Sequence, residues 1–213
     1  MGVAKPGRLE KGVLVALEGI DGTGKSTQAR NLAAGLEAAG WPVASTREPT
    51  EGEWGKRIRR LARQGRRDVP PEDELDWFLR DRMEDVERTI RPALNAGKIV
   101  VTDRYYFSTM AYQGALGLDP VRIREMNEAL FPRPDLVLLL RIDPATSLER
   151  IARGRPEGVE ASYESTEYLT RVAALFDSFD DPAIRRLDAS GTPAEVEARI
   201  WYSVQAYLDE HAR

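Results

Sequence analysis

The stretch Gly19-Ile20-Asp21-Gly22-Thr23-Gly24-Lys25-Ser26-Thr27 carries residue types at a spacing that can hold phosphate. It fits G-x-x-x-x-G-K-[ST], the pattern in which glycines let successive backbone N–H groups curl around an anion. Lys25 would reach the terminal phosphates as a point charge, and the Ser26 hydroxyl would ligate Mg²⁺. The run Val13-Leu14-Val15-Ala16-Leu17 leads into the loop, and apolar residues at helical spacing, Leu32 and Leu36 among them, follow it. Strand, glycine loop and helix together form the context that makes the pattern a phosphate loop, because the helix N-terminus adds its partial positive charge. Nucleoside triphosphate binding is the expectation.

A second chemical element is Asp103, at the end of another apolar run, Ile99-Val100-Val101-Thr102. In open α/β sheets ligands collect at the carboxyl ends of strands, where Asp103 would face the glycine loop and help to hold Mg²⁺. The bland use of such an Asp is to cap the next helix. Arg104 beside it favours the phosphate reading, since a guanidinium offers a planar fork to an anion.

Composition removes several other chemistries. The 213 residues suffice for one α/β domain, and the formal net charge of −4 argues against a nucleic-acid surface. No Cys is present, so thiolate nucleophiles and Cys-bound zinc are excluded, and the single His is His211, at the far end of the chain. No apolar run approaches the roughly 18 residues of a membrane span, and residues 1–11 lack the apolar core of a signal peptide. A soluble cytoplasmic protein is expected.

The elements that must position these groups alternate. Residues 1–11 read as a lead-in and 12–18 as a first strand. A helix follows from about Lys25 to Ala39, stopped at Gly40. Trp41–Thr46 reads as a short strand ending in Arg47-Glu48-Pro49, and a basic helix runs from Trp54 to about Gln64. A longer helix starts near Glu72, with Leu75, Leu79, Met83, Val86, Ile90 and Leu94 on one stripe. Strands are expected at Lys98–Thr102, Leu136–Leu140 and Ile184–Leu187, and Pro193 opens a last helix with Val196, Ile200, Val204 and Leu208 on one face. The expected fold is α/β: a doubly wound, five-stranded parallel sheet with helices on both faces.

Four segments together resemble the thymidylate kinase family. They are Val15 through Thr27 with the phosphate loop, Thr46-Arg47-Glu48-Pro49, Phe78-x-x-Asp81-Arg82, and Asp103-Arg104-Tyr105-x-x-Ser108-x-x-Ala111-Tyr112-Gln113. Asp188-Ala189-Ser190 is similar to the family's adenine-side loop. The phosphate loop is shared with many NTPases, whereas the segment from Asp103 to Gln113 is far more specific. The resemblance implies a P-loop kinase domain over 12–213 that moves the γ-phosphate of ATP to dTMP with Mg²⁺, in a cytoplasmic homodimer. It implies ATP contacts from Gly19, Asp21, Gly22, Thr23, Gly24, Lys25, Ser26, Thr27, Arg150, Arg155 and Ala189, with Ser26 and Asp103 at the metal. Asp21 matches a carboxylate that contacts the acceptor sugar. Phe78 and Arg82 match a pair that stacks on thymine and bonds its carbonyl, and their i, i+4 spacing suits one helix face. Arg104, with Arg47 or Arg59 as helpers, matches groups on the acceptor phosphate, within an acceptor site that also takes in Glu48, Pro49 and Ser108. Tyr112 and Gln113 match residues that favour a deoxypyrimidine.

The chemistry is consistent with the lack of histidine. An acceptor monophosphate has a second pKa of about 6, so it is already a nucleophile at neutral pH. Lys25, Asp103 and Arg104 are the expected catalytic groups, joined by Arg153 from a lid over about 150–163 that also bears Arg150 and Arg155. Gly22 stands where some family members carry an Arg, so the resemblance is to the bacterial type, with the lid supplying that charge. Two departures stand out: Thr50-Glu51-Gly52 replaces the usual Gly-Gly-Thr, and Ala161-Ser162-Tyr163-Glu164 lacks an expected Arg. The residues alone also allow a kinase of another nucleotide or nucleoside, or a P-loop module that binds without transfer. A GTPase switch is disfavoured by the absence of Asn-Lys-x-Asp.

Overall fold

The structure, a computed structural model, describes residues 9, 11–64, 69–154 and 165–211. At its centre lies β1 (Val13–Glu18), flanked by β3 (Ile99–Asp103) and β4 (Leu136–Arg141), with β2 (Val43–Arg47) and β5 (Ile184–Asp188) at the edges. The order is β2-β3-β1-β4-β5, and every pairing is parallel. This is the expected doubly wound sheet.

Strand alternation divides the core in two. Leu14 and Ala16 of β1, Val100 of β3, and Val137 and Leu139 of β4 face one layer. Val13, Val15 and Leu17, with Ile99, Val101, Leu136, Leu138 and Leu140, face the other. The first layer is closed by α3 (Pro71–Asp85), α5 (Tyr106–Gly114), α6 (Pro120–Leu130) and α8 (Thr166–Ser178), and the second by α1 (Lys25–Ala38) and α9 (Pro193–His211). The three central strands have water on neither face, which is why they read as unbroken apolar runs.

Boundaries move by one residue in several places: α2 covers Glu53–Gln64, α3 begins at Pro71, and Asp103 is the last residue of its strand. A larger difference lies in the long apolar stripe. After α3 the chain makes a π-helical turn, Val86–Ile90, before α4 (Arg91–Asn95). Pro92 is the cause: it has no N–H, and its ring opposes the carbonyl four residues earlier. The widened turn still buries Val86 and Ile90. Between Asp103 and Leu136 no amphipathic period marks an element, yet α5 and α6 lie there. In α5, six consecutive residues from Tyr106 to Ala111 are buried, so it has no polar face to reveal a period. The remaining helix, α7 (Pro144–Gly154), starts behind Asp143, whose Oδ1 accepts the N–H of Ala145 at 2.8 Å.

Candidate active site

The glycine loop links β1 to α1. Gly19, Gly22 and Gly24 all have positive φ, at 136°, 79° and 90°. A side chain on Gly19 would also meet the Leu140 carbonyl at 2.3 Å. Lys25 is buried and folded over the loop, its Nζ donating to the Ile20 carbonyl at 2.7 Å and to Thr23 Oγ1 at 3.3 Å. Burial and then the Arg104 charge pull its pKa down to about 8, against Asp21, Asp103 and Glu18. Thr27 donates its N–H to the Gly24 carbonyl, and its side chain is exposed.

Across the loop, Ser26 Oγ donates to Asp103 Oδ2 at 2.5 Å, while Asp103 Oδ1 is buried with no partner. A hydroxyl and a carboxylate with a lone oxygen are hard ligands suited to Mg²⁺, which takes few protein ligands and completes its shell with substrate phosphate and water. The described residues hold no group of three or more His, Cys, Asp or Glu that could cage an ion by themselves. The pair fits the implied metal.

The side expected to take the acceptor is built on Arg104, which has a φ of 72° despite being no glycine. Its strained turn is held by its N–H on the Leu17 carbonyl at 3.0 Å and by Thr102 Oγ1 on its own carbonyl at 2.7 Å. The guanidinium reaches Asp21 Oδ1 at 2.5 Å, Ser108 Oγ at 2.8 Å and the Gly19 carbonyl at 3.3 Å, and it stands over the Tyr112 ring. Tyr112 donates to Asp21 Oδ2 at 3.0 Å. Burial raises the Asp21 carboxyl, but Arg104 and then Lys25 outweigh it, leaving the pKa below the usual range.

Glu18 is the residue that the sequence reading missed. It is fully buried at the end of β1, where Oε1 accepts the N–H of Tyr105 at 2.9 Å and of Ser108 at 3.2 Å. Oε2 accepts the Ser108 hydroxyl at 2.5 Å. Glu18 thus caps α5 from another strand and supports the Ser108–Arg104 bond. Burial pushes its pKa to about 7 despite these donors. The available signal was a lone carboxylate closing a wholly apolar strand.

Arg82 and Phe78, four residues apart on α3, have different neighbours. Arg82 is buried to 1% exposure and grips Glu48 through Nε at 3.0–3.1 Å and through Nη2. Nη2 also donates to Thr109 at 3.0 Å, and Nη1 to Asn127 Oδ1. One Nη1 N–H is left over. Phe78 is half-buried in a cluster between α2 and α3 with Trp54, Ile58, Leu61, Val69 and Trp77. Burial pushes Glu48 up, and Arg82 pulls against it. Gln113 is fully buried, and neither of its amide atoms has a partner.

The peptide bond between Glu48 and Pro49 is cis. Beyond it, Thr50 is tied to Asp81 of α3 through its N–H at 2.8 Å and its hydroxyl at 2.6 Å. Gly55 packs so close that a side chain would meet the Thr50 carbonyl at 1.9 Å. Arg59 donates to the Pro49 carbonyl at 2.6 Å and to Glu51 at 2.8 Å, and Arg47 also pairs with Glu51. The unusual Glu51 thus engages both helper arginines.

On the side expected to take the donor, Arg150 of α7 bridges to the carbonyls of Ala189 at 2.9 Å and Ser190 at 3.1 Å. Arg153 is exposed and pairs with Glu149 at 3.3 Å. Arg155 and most of the expected lid, with Ala161-Ser162-Tyr163-Glu164, lie outside the described residues. The structure therefore gathers Asp21, Lys25, Ser26, Asp103, Arg104, Ser108 and Tyr112 at one mouth, and joins Arg150 to Ala189. Arg82 with Glu48 forms a buried network of its own.

Comparison with known proteins gives one consistent result. The family model described as thymidylate kinase matches residues 17–200. A probable thymidylate kinase of Archaeoglobus fulgidus is 40% identical over 92% of this chain and 97% of its own. A thymidylate kinase of Xanthomonas campestris pv. campestris (strain B100) is 44% identical over 95% of this chain and 87% of its own. The crystal structure of thymidylate kinase from Ehrlichia chaffeensis is similar, with a TM-score of 0.72 at 25% identity, covering 91% of this chain and 98% of that one.

Proposed function

The chain belongs to the thymidylate kinase family, and on that premise we propose that it is a nucleoside monophosphate kinase that phosphorylates dTMP at the expense of ATP. The observation that carries the reading is the mouth where Lys25, Ser26 and Asp103 meet Asp21 and Arg104. One side suits a triphosphate, and the other suits a sugar bearing a monophosphate.

The glycine loop and Lys25 hold the donor phosphates, and Arg104 holds the acceptor phosphate in line with them. Asp21, kept ionised by Arg104 and Lys25, accepts a hydrogen bond from the acceptor sugar. Mg²⁺ held by Ser26 and Asp103 would neutralise charge on the transferring phosphates. A dianionic acceptor needs no proton removed, so these residues act by orientation and by charge. The left-over N–H of Arg82 and the unpaired amide of Gln113 are the donors and acceptor suited to a pyrimidine edge. Arg150 and Ala189 border the adenine. Arg153, on the last turn of α7, is a described residue of the expected lid and would meet the γ-phosphate. The family resemblance supports a cytoplasmic homodimer, and no described helix is long and apolar enough to cross a membrane.

A coupled assay with ATP, Mg²⁺ and a panel of dTMP, dUMP, dCMP, UMP and AMP tests the reading. dTMP is expected to exceed each of the others by at least about tenfold in kcat/KM, a difference of roughly 1.4 kcal/mol. Equal use of a ribonucleotide would overturn the assigned acceptor.

A further inference from the structure

Asp21 is tied on every side, and its last tie comes from an unexpected place. Its carboxylate is held by Arg104 and Tyr112, and its N–H donates to the Tyr112 hydroxyl at 3.1 Å. Its carbonyl accepts the hydroxyl of Ser147, a fully buried residue in the first turns of α7. At the next residue the helix packs directly against the loop. A side chain on Gly22 would meet the Ser147 carbonyl at 2.6 Å, Ser147 Oγ at 3.1 Å and Ile151 at 3.2 Å. The hydroxyl draws helix and loop together, and the bare glycine lets them touch.

The same helix is pinned a second time one turn further on, where Arg150 bridges to the Ala189 and Ser190 carbonyls. Arg153 follows three residues later, on the neighbouring surface of the helix. Two anchors therefore set the depth and the rotation of α7 relative to the phosphates before its last turn begins. With an arginine at Gly22 of the loop, α7 could not sit this close.

We propose that Ser147 is a positioning residue for phosphoryl transfer. Its bond to the Asp21 carbonyl sets the register of α7 against the phosphate loop, and through it the placement of Arg153 toward the transferring group. The proposal rests on the phosphoryl-transfer reading given above, and it adds a residue that touches no substrate. Through Asp21, the group that meets the acceptor sugar and the helix that carries Arg153 share one backbone unit. A mislaid arginine weakens the transition state while leaving the acceptor bound.

The test compares Ser147→Ala, Ser147→Cys and Ser147→Thr, each alone and the first also with Arg153→Ala, by kcat, both KM values and thermal unfolding. The Ala and Cys variants are expected to lose about threefold to tenfold in kcat, the worth of one hydrogen bond, with the KM for dTMP within about twofold. Ser147→Thr keeps the donor and is expected to recover most of the loss. In the Ser147→Ala background, Arg153→Ala should cost at least about threefold less than it does alone, because the arginine is already misplaced. If Ser147→Ala does not fold, Ser147→Cys decides, since it keeps the volume and weakens the donor. A kcat within twofold of the parent in the Ala and Cys variants overturns the proposal. So does a loss that merely follows the folded fraction and adds independently to that of Arg153→Ala. A slow Ser147→Ala beside a silent Arg153→Ala overturns it too, because Ser147 is proposed to act through that arginine.

Discussion

Asp103 gives one carboxylate oxygen to the Ser26 hydroxyl at 2.5 Å and buries the other without a partner. Burying a carboxylate oxygen unpaired is costly, and it persists here at the carboxyl end of a central strand, beside the phosphate loop. On the proposed reading a divalent ion would be its partner. Asp103→Asn keeps the shape and the bond to Ser26 but loses the charge. We expect it to fold like the parent, to need at least about tenfold more Mg²⁺ for half-maximal activity, and to lose about a hundredfold in rate. Titration of activity against Mg²⁺ checks this, and an unchanged midpoint would remove Asp103 from the metal.

Lys25 gives a pH dependence. In the free enzyme burial and the Arg104 charge hold it at about 8, so above that pH an increasing share lacks its charge. kcat/KM for ATP reports the free enzyme and is expected to fall with an apparent pKa near 8. In the complex the phosphates restore the charge, so kcat should hold to higher pH. Lys25→Ala is expected to lose several orders of magnitude in rate and to lose the inflection as well. A parental profile in the variant would assign the inflection to another group.

Arg82 is both a candidate reader of thymine and one half of a buried ion pair, at 1% and 4% side-chain exposure with Glu48. Arg82→Ala therefore strands the Glu48 carboxylate, and a loss of about 3–5 kcal/mol in urea unfolding is expected. Replacing both residues by Leu removes the stranded charge and should recover much of that stability. If Arg82 reads the base, the double variant stays at least about thirtyfold poorer in kcat/KM for dTMP, while its KM for ATP holds. Parental use of dTMP by the double variant would make Arg82 purely structural.

How far the sequence reaches depends on how local each feature is. The phosphate loop is legible because its function is made by contiguous backbone, and β1, β3 and β4 are legible because burial on both faces leaves only apolar residues. The partners of Glu18, at Tyr105 and Ser108, lie 87 and 90 residues away, so its capping role has no local sign. Arg82 finds Glu48 and Asn127 across 34 and 45 residues, and only the fold turns a helix arginine into a core ion pair. Ser147 touches Asp21 from 126 residues away. Phe78 and Arg82 sit at i, i+4 on α3 as the sequence predicts, but that Phe78 packs beside Ile58 and Leu61 while Arg82 finds Glu48 follows only from the fold.

Glu51 stands in the segment that departs from the family pattern, and it holds Arg47 and Arg59 together. These are exposed or half-exposed pairs, each worth under about 1 kcal/mol, so the acceptor phosphate competes with a weak partner. Glu51→Gln releases both arginines. Its KM for dTMP is expected to fall by about twofold to threefold at low salt, and the gain should fade as salt screens the site. An unchanged KM at low salt would place both arginines away from the acceptor.

Arg150 and Arg153 lie one turn apart on α7 but are held very differently, and the difference predicts separate kinetic roles. Arg150 is half-buried and committed to the Ala189 and Ser190 carbonyls, on the loop that resembles an adenine border. Removing it loosens that border in the ground state and the transition state alike. Arg150→Ala is therefore expected to raise the KM for ATP about threefold to tenfold with kcat nearly kept. Among the described residues Arg153 pairs only with exposed Glu149, a pair too weak to hold it against an incoming phosphate. An arginine that meets the γ-phosphate only as charge develops contributes to kcat and hardly to either KM, and such residues can be worth about a thousandfold. Arg153→Ala is expected to lower kcat at least tenfold under saturating ATP and dTMP, with both KM values within about twofold. The opposite split, a KM effect at Arg153 and a kcat effect at Arg150, would exchange their roles. A kcat above a third of the parent in both variants would pass the charge to Arg155, or to Arg47 and Arg59 on the acceptor side, where triple substitution of those three decides the matter.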